Sequence, residues 1–289
     1  MPAPILPAWS RRFQYTIRTR EWRIYTSQSL SFCLGLANGR FVRWSMTTKS
    51  KSLYGQYCPL AMASELLGNR WTMLIIRELL DGSTTFNDIG RGVPTMSRNL
   101  LSRRLKELEA AGTVSCRSAR RGLKGSYRLT AAGEALGAVV KSMAIWGQEW
   151  IDVEPSVHQI DARFLMWDIR RNVKPLPDFP SRFTVRFFFP DGEETLREHW
   201  LVFENNEVDL CYFDPGHQVD VEIEAGLRTM TMIWMGWEDF ANAQRDERLQ
   251  IRGDGKFVRR AKEWLGLSKL AGISKQPEEL RVFRHLNAK

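Results

Sequence analysis

Arg98, Asn99, Ser102 and Arg103 recur at helical spacing and share one side of a short helical stretch. Arginine makes bidentate contacts with the O6/N7 edge of guanine, and asparagine with the N6/N7 edge of adenine. Lys106 follows on the same side and offers a point charge to a phosphate. A second basic group, Arg117, Arg120, Arg121 and Lys124, surrounds a glycine-bearing tip further along the chain. Between Arg91 and Arg128 there are ten Lys or Arg against two acids, Glu107 and Glu109, which is net +8 in 38 residues. Charges that serve only solubility have no reason to gather on two adjacent elements. The chemistry these residues suit is phosphate neutralisation and base-edge readout on double-stranded DNA. Each phosphate contact would steepen the log–log salt dependence by about 0.9.

These side chains need elements to position them. Cys58-Pro59 opens a helix with Leu60, Ala63, Leu66 and Leu67 on one face, ended by Gly68-Asn69. A second helix runs from about Arg70 to Leu80 with Trp71, Leu74, Ile75 and Leu79 inward, stopped by Asp81-Gly82. Thr84 to Phe86 is extended, Phe86 to Arg91 is a brief helix, and Gly92-Val93-Pro94 is a turn. Ser97 caps a helix over 97–111, whose Leu101, Leu105 and Leu108 form the buried stripe and leave the base-reading side chains outside. Thr113 to Cys116 and Ser126 to Leu129 make a hairpin with the basic tip between them. From Thr130 a long helix reaches to about Ile151, with Leu136, Val139, Val140, Met143, Trp146 and Trp150 at helical spacing. That stripe needs a partner, either a second copy of the chain through helix 131–151 or the C-terminal half. Together these are the parts of a winged helix-turn-helix.

The run CPLAMASELLGNRWTMLIIRELLDGSTTFNDIGRGVPTMSRNLLSRRLKELEAAGTV, with YRLTAAGEAL after the hairpin, resembles the HxlR-type winged helix-turn-helix family over about 58–150. The resemblance implies a homodimeric bacterial regulator of transcription, a repressor or an activator. The tip, GLKGS, departs from the proline-bearing tips of many members. Cys58 matches the cysteine that serves some members as a redox or electrophile sensor. By its own surroundings it reads instead as a small buried residue at a helix start, since nothing local favours the thiolate and the next charge along the chain is Glu65.

The whole chain of 289 residues carries net +9, unevenly spread. Residues 1–45 are net +6, residues 46–151 net +7 and residues 152–289 net −4, so a polyanion suits the middle of the chain. Residues 1–45 lack sustained periodicity and read as a disordered basic arm or as an extension upstream of a start at Met46; the segment before the first domain is set at 1–53. Cys33, Cys58, Cys116 and Cys211 form no CxxC pair, which argues against a zinc site or a disulfide scaffold and suits a cytoplasmic protein. No apolar run is long enough to span a membrane.

The C-terminal half reads as a domain over 155–272 with a loose polar tail over 273–289. A helix over Asp161–Val173 precedes strands at Phe183–Phe189, Glu198–Glu204, Val208–Phe213 and Val219–Glu224, read as an antiparallel meander. Helices over Leu227–Gly236 and Asp239–Asp246 follow, then a strand at Leu249–Arg252 and a helix over Lys256–Leu265. The pattern from Trp200 through IWMGWEDF to WLGLSKLA resembles the sterol-carrier-like domain attached to some HxlR-type regulators. The expected fold is therefore α+β: a winged helix domain over 54–151, then an α/β sterol-carrier-like domain with an antiparallel sheet. Relatives enclose an apolar tunnel, for which Met230, Ile233, Trp234, Trp237, Trp200 and Phe203 are candidate lining, with an ordinary core as the other reading. His199 and His217 read as surface residues, and Cys116 and Cys211 as core.

The expected function is sequence-specific DNA binding by a homodimeric transcriptional regulator, modulated by an apolar ligand in the C-terminal domain. Two alternatives are a lipid-binding carrier with a vestigial DNA-binding head and a thiol-based sensor using Cys58. No phosphate loop, metal-ligand cluster or triad spacing suggests an enzyme, and no cofactor is expected.

Overall fold

A computed structural model describes residues 34–37, 40–43, 54–117, 125–152, 160–205 and 207–283. The chain divides into two units, Met1–Gly55 and Gln56–Lys289. In the first, β1 (Leu34–Ala37) and β2 (Arg40–Arg43) pair antiparallel. The rest of the expectation for residues 1–53 lies outside the described residues.

The second unit begins with α1 (Pro59–Leu67), α2 (Thr72–Leu80), α3 (Phe86–Gly92) and α4 (Arg98–Ala110). Thr85 caps α3 by accepting from the Asp88 amide at 3.1 Å, and Ser97 caps α4 by accepting from the Leu100 amide at 3.3 Å. The hairpin is β3 (Val114–Arg117) against β4 (Ser126–Leu129). Ile75, Ile76, Ile89, Val93, Met96, Leu101, Leu105, Leu108 and Val114 close a first core between these elements. The long helix expected from Thr130 is broken into α5 (Ala131–Ala135) and α6 (Gly137–Trp150). The Leu136 amide turns back to the Gly133 carbonyl there, and Gly137 follows, a residue that weakens helix continuity.

After β5 (Ile151–Asp152) come α7 (Ala162–Asn172), β6 (Arg182–Phe188), β7 (Glu198–Glu204), β8 (Glu207–Cys211) and β9 (Val221–Ala225). Next are α8 (Leu227–Trp234), α9 (Phe240–Arg245), β10 (Leu249–Gly253), α10 (Gly255–Val258), α11 (Ala261–Leu265) and β11 (Val282–Phe283). The five-stranded sheet has the order β10-β9-β6-β7-β8. It is not the antiparallel meander expected, because β9 crosses over and lies parallel to β6. Asp220 fixes that entry: its carboxylate accepts from the Thr184 amide at 2.7 Å, and its own amide donates to the Thr184 carbonyl at 2.9 Å. The tail expected to be loose is tied down at its start. The Gln276 amide donates to the Glu149 carbonyl at 2.9 Å, and β11 pairs with β5.

Alternation along β6, β7 and β9 sends Phe183, Val185, Phe187, Leu201, Phe203, Val221 and Ile223 into a second core, closed by α7, α8 and α11. On the outer face Arg186 bridges Glu198 and Glu222 on the flanking strands. No described helix is long and apolar enough to cross a membrane.

His199 is not the surface residue expected. It faces Phe187 across the β6–β7 ladder, shares the parity of Leu201 and Phe203, and is 0% exposed. Neither ring nitrogen has a hydrogen-bond partner among the described residues. Burial lowers its pKa to about 4, with Asp161 opposing and Arg163 assisting. The unfolded chain therefore binds more protons than the folded one between the usual histidine value and about 4, so folding stability is lost as pH falls through that window. His199→Leu should flatten this acid limb and add on the order of 1–3 kcal/mol at pH 7, because no buried polar atom is then left unpaired. Urea melts of both proteins at pH 7 and pH 4.5 measure both effects, and an unchanged acid limb would disprove the assignment.

Candidate nucleic-acid interface

The stripe Leu101, Leu105 and Leu108 is buried on α4, which turns Arg98, Asn99, Arg103 and Lys106 outward to solvent, with Ser102 half-buried beside them. Burying each leucine contributes about 1.5–3 kcal/mol, so the helix has one strongly preferred rotation about its axis. Arg98 donates to Asn87 Oδ1 at 2.9 Å and lies 5.1 Å over the Phe86 ring. One edge of its guanidinium is thus held by α3 while donors remain for a ligand. Glu107 is engaged by Arg104 and lies 3.8 Å from Arg103, which neutralises the acid nearest the basic face. Arg117 is exposed at the end of β3. Arg120, Arg121 and Lys124 lie outside the described residues. The hairpin is tied to the body through the Tyr127 amide, which donates to the Thr84 carbonyl at 2.8 Å.

Cys58 is exposed at the N-cap of α1. The amides of Ala61 and then Leu60 in the first helical turn draw its pKa below the ordinary thiol value, a cause that no neighbouring charge in the sequence reveals. Cys116 and Cys211 are half-buried instead of core. Burial, then Asp209, raises the Cys211 pKa. Among the described residues no group of three or more His, Cys, Asp or Glu could hold a metal ion.

The candidate ligand-lining residues are not gathered round one opening. Met230, Ile233 and Trp234 on α8, with Phe203, pack into the closed second core. Trp200 is buried on the opposite face of β7, and Trp237 borders a shallow depression with Gly236 and Ala271.

What sequence reasoning missed lies against the end of α3, before the turn to α4. Glu78 on α2 is 0% exposed. Its carboxylate accepts from Arg77 Nη2 at 2.8 Å, Ser83 Oγ at 3.2 Å, Trp167 Nε1 at 3.1 Å and Arg171 Nη1 at 2.9 Å. It rests against Gly92, the last residue of α3, with no room for a Cβ there. Arg77 also donates to the Gly92 carbonyl at 2.9 Å. The one available signal was an acid three residues after Ile75, on the face that must be buried.

The HxlR-like helix-turn-helix family matches residues 66–155. The chain is 37% identical over 99 residues to YvaP of Bacillus subtilis (strain 168), an uncharacterised HTH-type transcriptional regulator, covering 34% of this chain and 92% of the relative. It is 38% identical over 97 residues to the HTH-type transcriptional regulator YodB of the same strain, covering 33% and 87%. Against the solved reduced form of YodB from B. subtilis the TM-score is 0.29 at 38% identity, over 32% of this chain and 93% of that one.

Proposed function

The chain belongs to the HxlR-like helix-turn-helix family of transcriptional regulators, and from that premise we propose that it is a cytoplasmic homodimer that binds double-stranded DNA sequence-specifically. The observation that carries the reading is the division of α4 into a buried leucine stripe and an exposed face bearing Arg98, Asn99, Arg103 and Lys106. In this reading Arg98, Asn99, Ser102 and Arg103 meet base edges. Lys106, Arg117 and the tip residues Arg120, Arg121 and Lys124 meet phosphates. The two subunits join through α6.

The test is fluorescence anisotropy with genomic fragments, including the chain's own upstream region, at two salt concentrations. Selective, steeply salt-dependent binding is expected. Lys106→Ala should weaken binding evenly across sequences and reduce the log–log salt slope by about 0.9 for each subunit bound, about 1.8 for the dimer. Asn99→Ala should cost about 1–3 kcal/mol per half-site and relax selectivity at one base position in each. Weak, unselective binding at both salts would reduce the basic face to a solvated surface.

The C-terminal half, a sheet covered by α7, α8 and α11, suits the sterol-carrier-like reading in its layering. With Met230, Ile233 and Trp234 packed in the core, an apolar ligand would modulate the regulator only by opening the space between α8 and the sheet. A second reading, thiol sensing, is favoured by the exposure of Cys58 and its lowered pKa at a helix start. Under it, Cys58→Ser abolishes any change in DNA affinity on oxidant treatment; an unchanged response removes Cys58 from the mechanism.

A further inference from the structure

The Glu78 carboxylate belongs to the helix-turn-helix, yet two of its partners come from the other core. Trp167 Nε1 donates to Oε2 at 3.1 Å and Arg171 Nη1 donates to the same oxygen at 2.9 Å, both from α7. Arg171 Nη2 reaches Asp168 at 3.3 Å, and the other Asp168 oxygen accepts from Trp234 Nε1 on α8 at 2.8 Å. On the DNA-binding side, Arg77 joins Glu78 to the Gly92 carbonyl at 2.9 Å. Arg91 on α3 lies 5.3 Å over the Trp167 ring. Gly92 leads directly into the turn through Val93 and Met96, both buried, and so into Ser97 and α4.

Removing a donor from a buried carboxylate is strongly destabilising, so such a group fixes the places of the side chains around it. Those donors are divided between the two halves of one compact unit. The position of Gly92 is therefore set partly by α7. We propose that Trp167 and Arg171 are positioning residues for DNA recognition, holding the turn before α4 through Glu78. The relay Trp234–Asp168–Arg171–Glu78 then carries any displacement of α8 to that turn. The DNA arm of this inference rests on the function proposed above; the structural arm does not.

The experiment uses the full chain with Trp167→Phe, which keeps the ring and removes the indole donor, and Arg171→Met, which keeps the stem and removes the fork. Hydrogen exchange of amides in residues 86–97 is the first readout. Exchange there should accelerate about tenfold in each variant, while protection in the β6–β7 pair is retained. The second readout is the ratio of affinities for the selected operator and for random duplex DNA. That ratio should fall about tenfold, with random-duplex binding unchanged, since the phosphate-facing cations are untouched. A merely structural role would lower both affinities together. Unchanged exchange over 86–97, or accelerated exchange with an unchanged affinity ratio, overturns the proposal. A wild-type chain that selects no DNA at all overturns the DNA reading instead, and the exchange arm still decides whether α7 holds the turn.

Discussion

Gly92→Ala is expected to destabilise the folded chain by about 3–5 kcal/mol, the loss that follows when one member of a buried ionic network is displaced. Alanine is the better helix former, by up to about 1 kcal/mol, so propensity alone predicts a gain at this helical position. The steric term opposes it. A Cβ on Gly92 would fall inside the van der Waals envelope of the Glu78 carboxyl group. That group cannot swing away without leaving Arg77, Arg171 and the Trp167 indole without their shared acceptor. Urea unfolding monitored by circular dichroism should show a lower midpoint at an unchanged slope. A double-mutant cycle isolates the cause. In a Glu78→Ala background, Gly92→Ala should cost little or become stabilising, because the obstruction is gone. A loss in that background equal to the loss in wild type would rule out the steric account. A loss below about 1 kcal/mol in wild type would mean that the turn yields and that the carboxylate is not held as described.

The contrast between Glu78 and Leu101 shows which features the sequence makes legible. Ser97, Leu101, Leu105 and Leu108 announce themselves through a local cap and a helical period, and α4 forms where they place it. The hairpin strands and the inward residues of β6 are equally local, since period-two alternation is written in neighbouring residues. Partners are not local. Alternation gives β9 an inner face but not a neighbour, so its parallel place beside β6 depends on the crossover that Asp220 completes. His199 has the parity of Leu201 and Phe203, and residue type misled where parity was right. Glu78 was hidden for the same reason: its burial is tolerable only because Trp167 and Arg171 arrive from a distant helix. The lowered pKa of Cys58 arises from backbone amides, which leave no mark in side-chain composition. The outward side chains of α4 were readable because exposure needs no partner.

Exposure without a partner on an apolar face makes the last expectation. Met143→Lys combined with Trp146→Glu should convert a dimer into a folded monomer and weaken operator binding by about two to four orders of magnitude. The two faces of α6 differ. Leu136, just before it, and Val140 pack against the first core. Val139, Met143 and Trp146, at i, i+4 and i+7, point away and are 42%, 56% and 50% exposed. On α1, which like α6 packs on α2, Leu60 and Met62 are 74% and 60% exposed. A two-fold interface uses each of these residues twice, so a modest stripe on one protomer becomes a continuous apolar contact in the pair. Because both substituted side chains lie half outside the protomer, the variant should keep its far-ultraviolet circular dichroism and its denaturation midpoint at low protein concentration. Sedimentation equilibrium reads the mass, and anisotropy on a two-half-site duplex reads the affinity. The salt slope should fall to about half, because one subunit meets half the phosphates. The loss of affinity follows from linkage and not from any lost base contact, since α4 is untouched: a monomer forfeits the high effective concentration that the first half-site confers on the second. A wild-type chain that sediments as a monomer, or a variant that remains dimeric, would move the interface elsewhere. A monomeric variant with undiminished operator affinity would show instead that one subunit suffices to read the DNA.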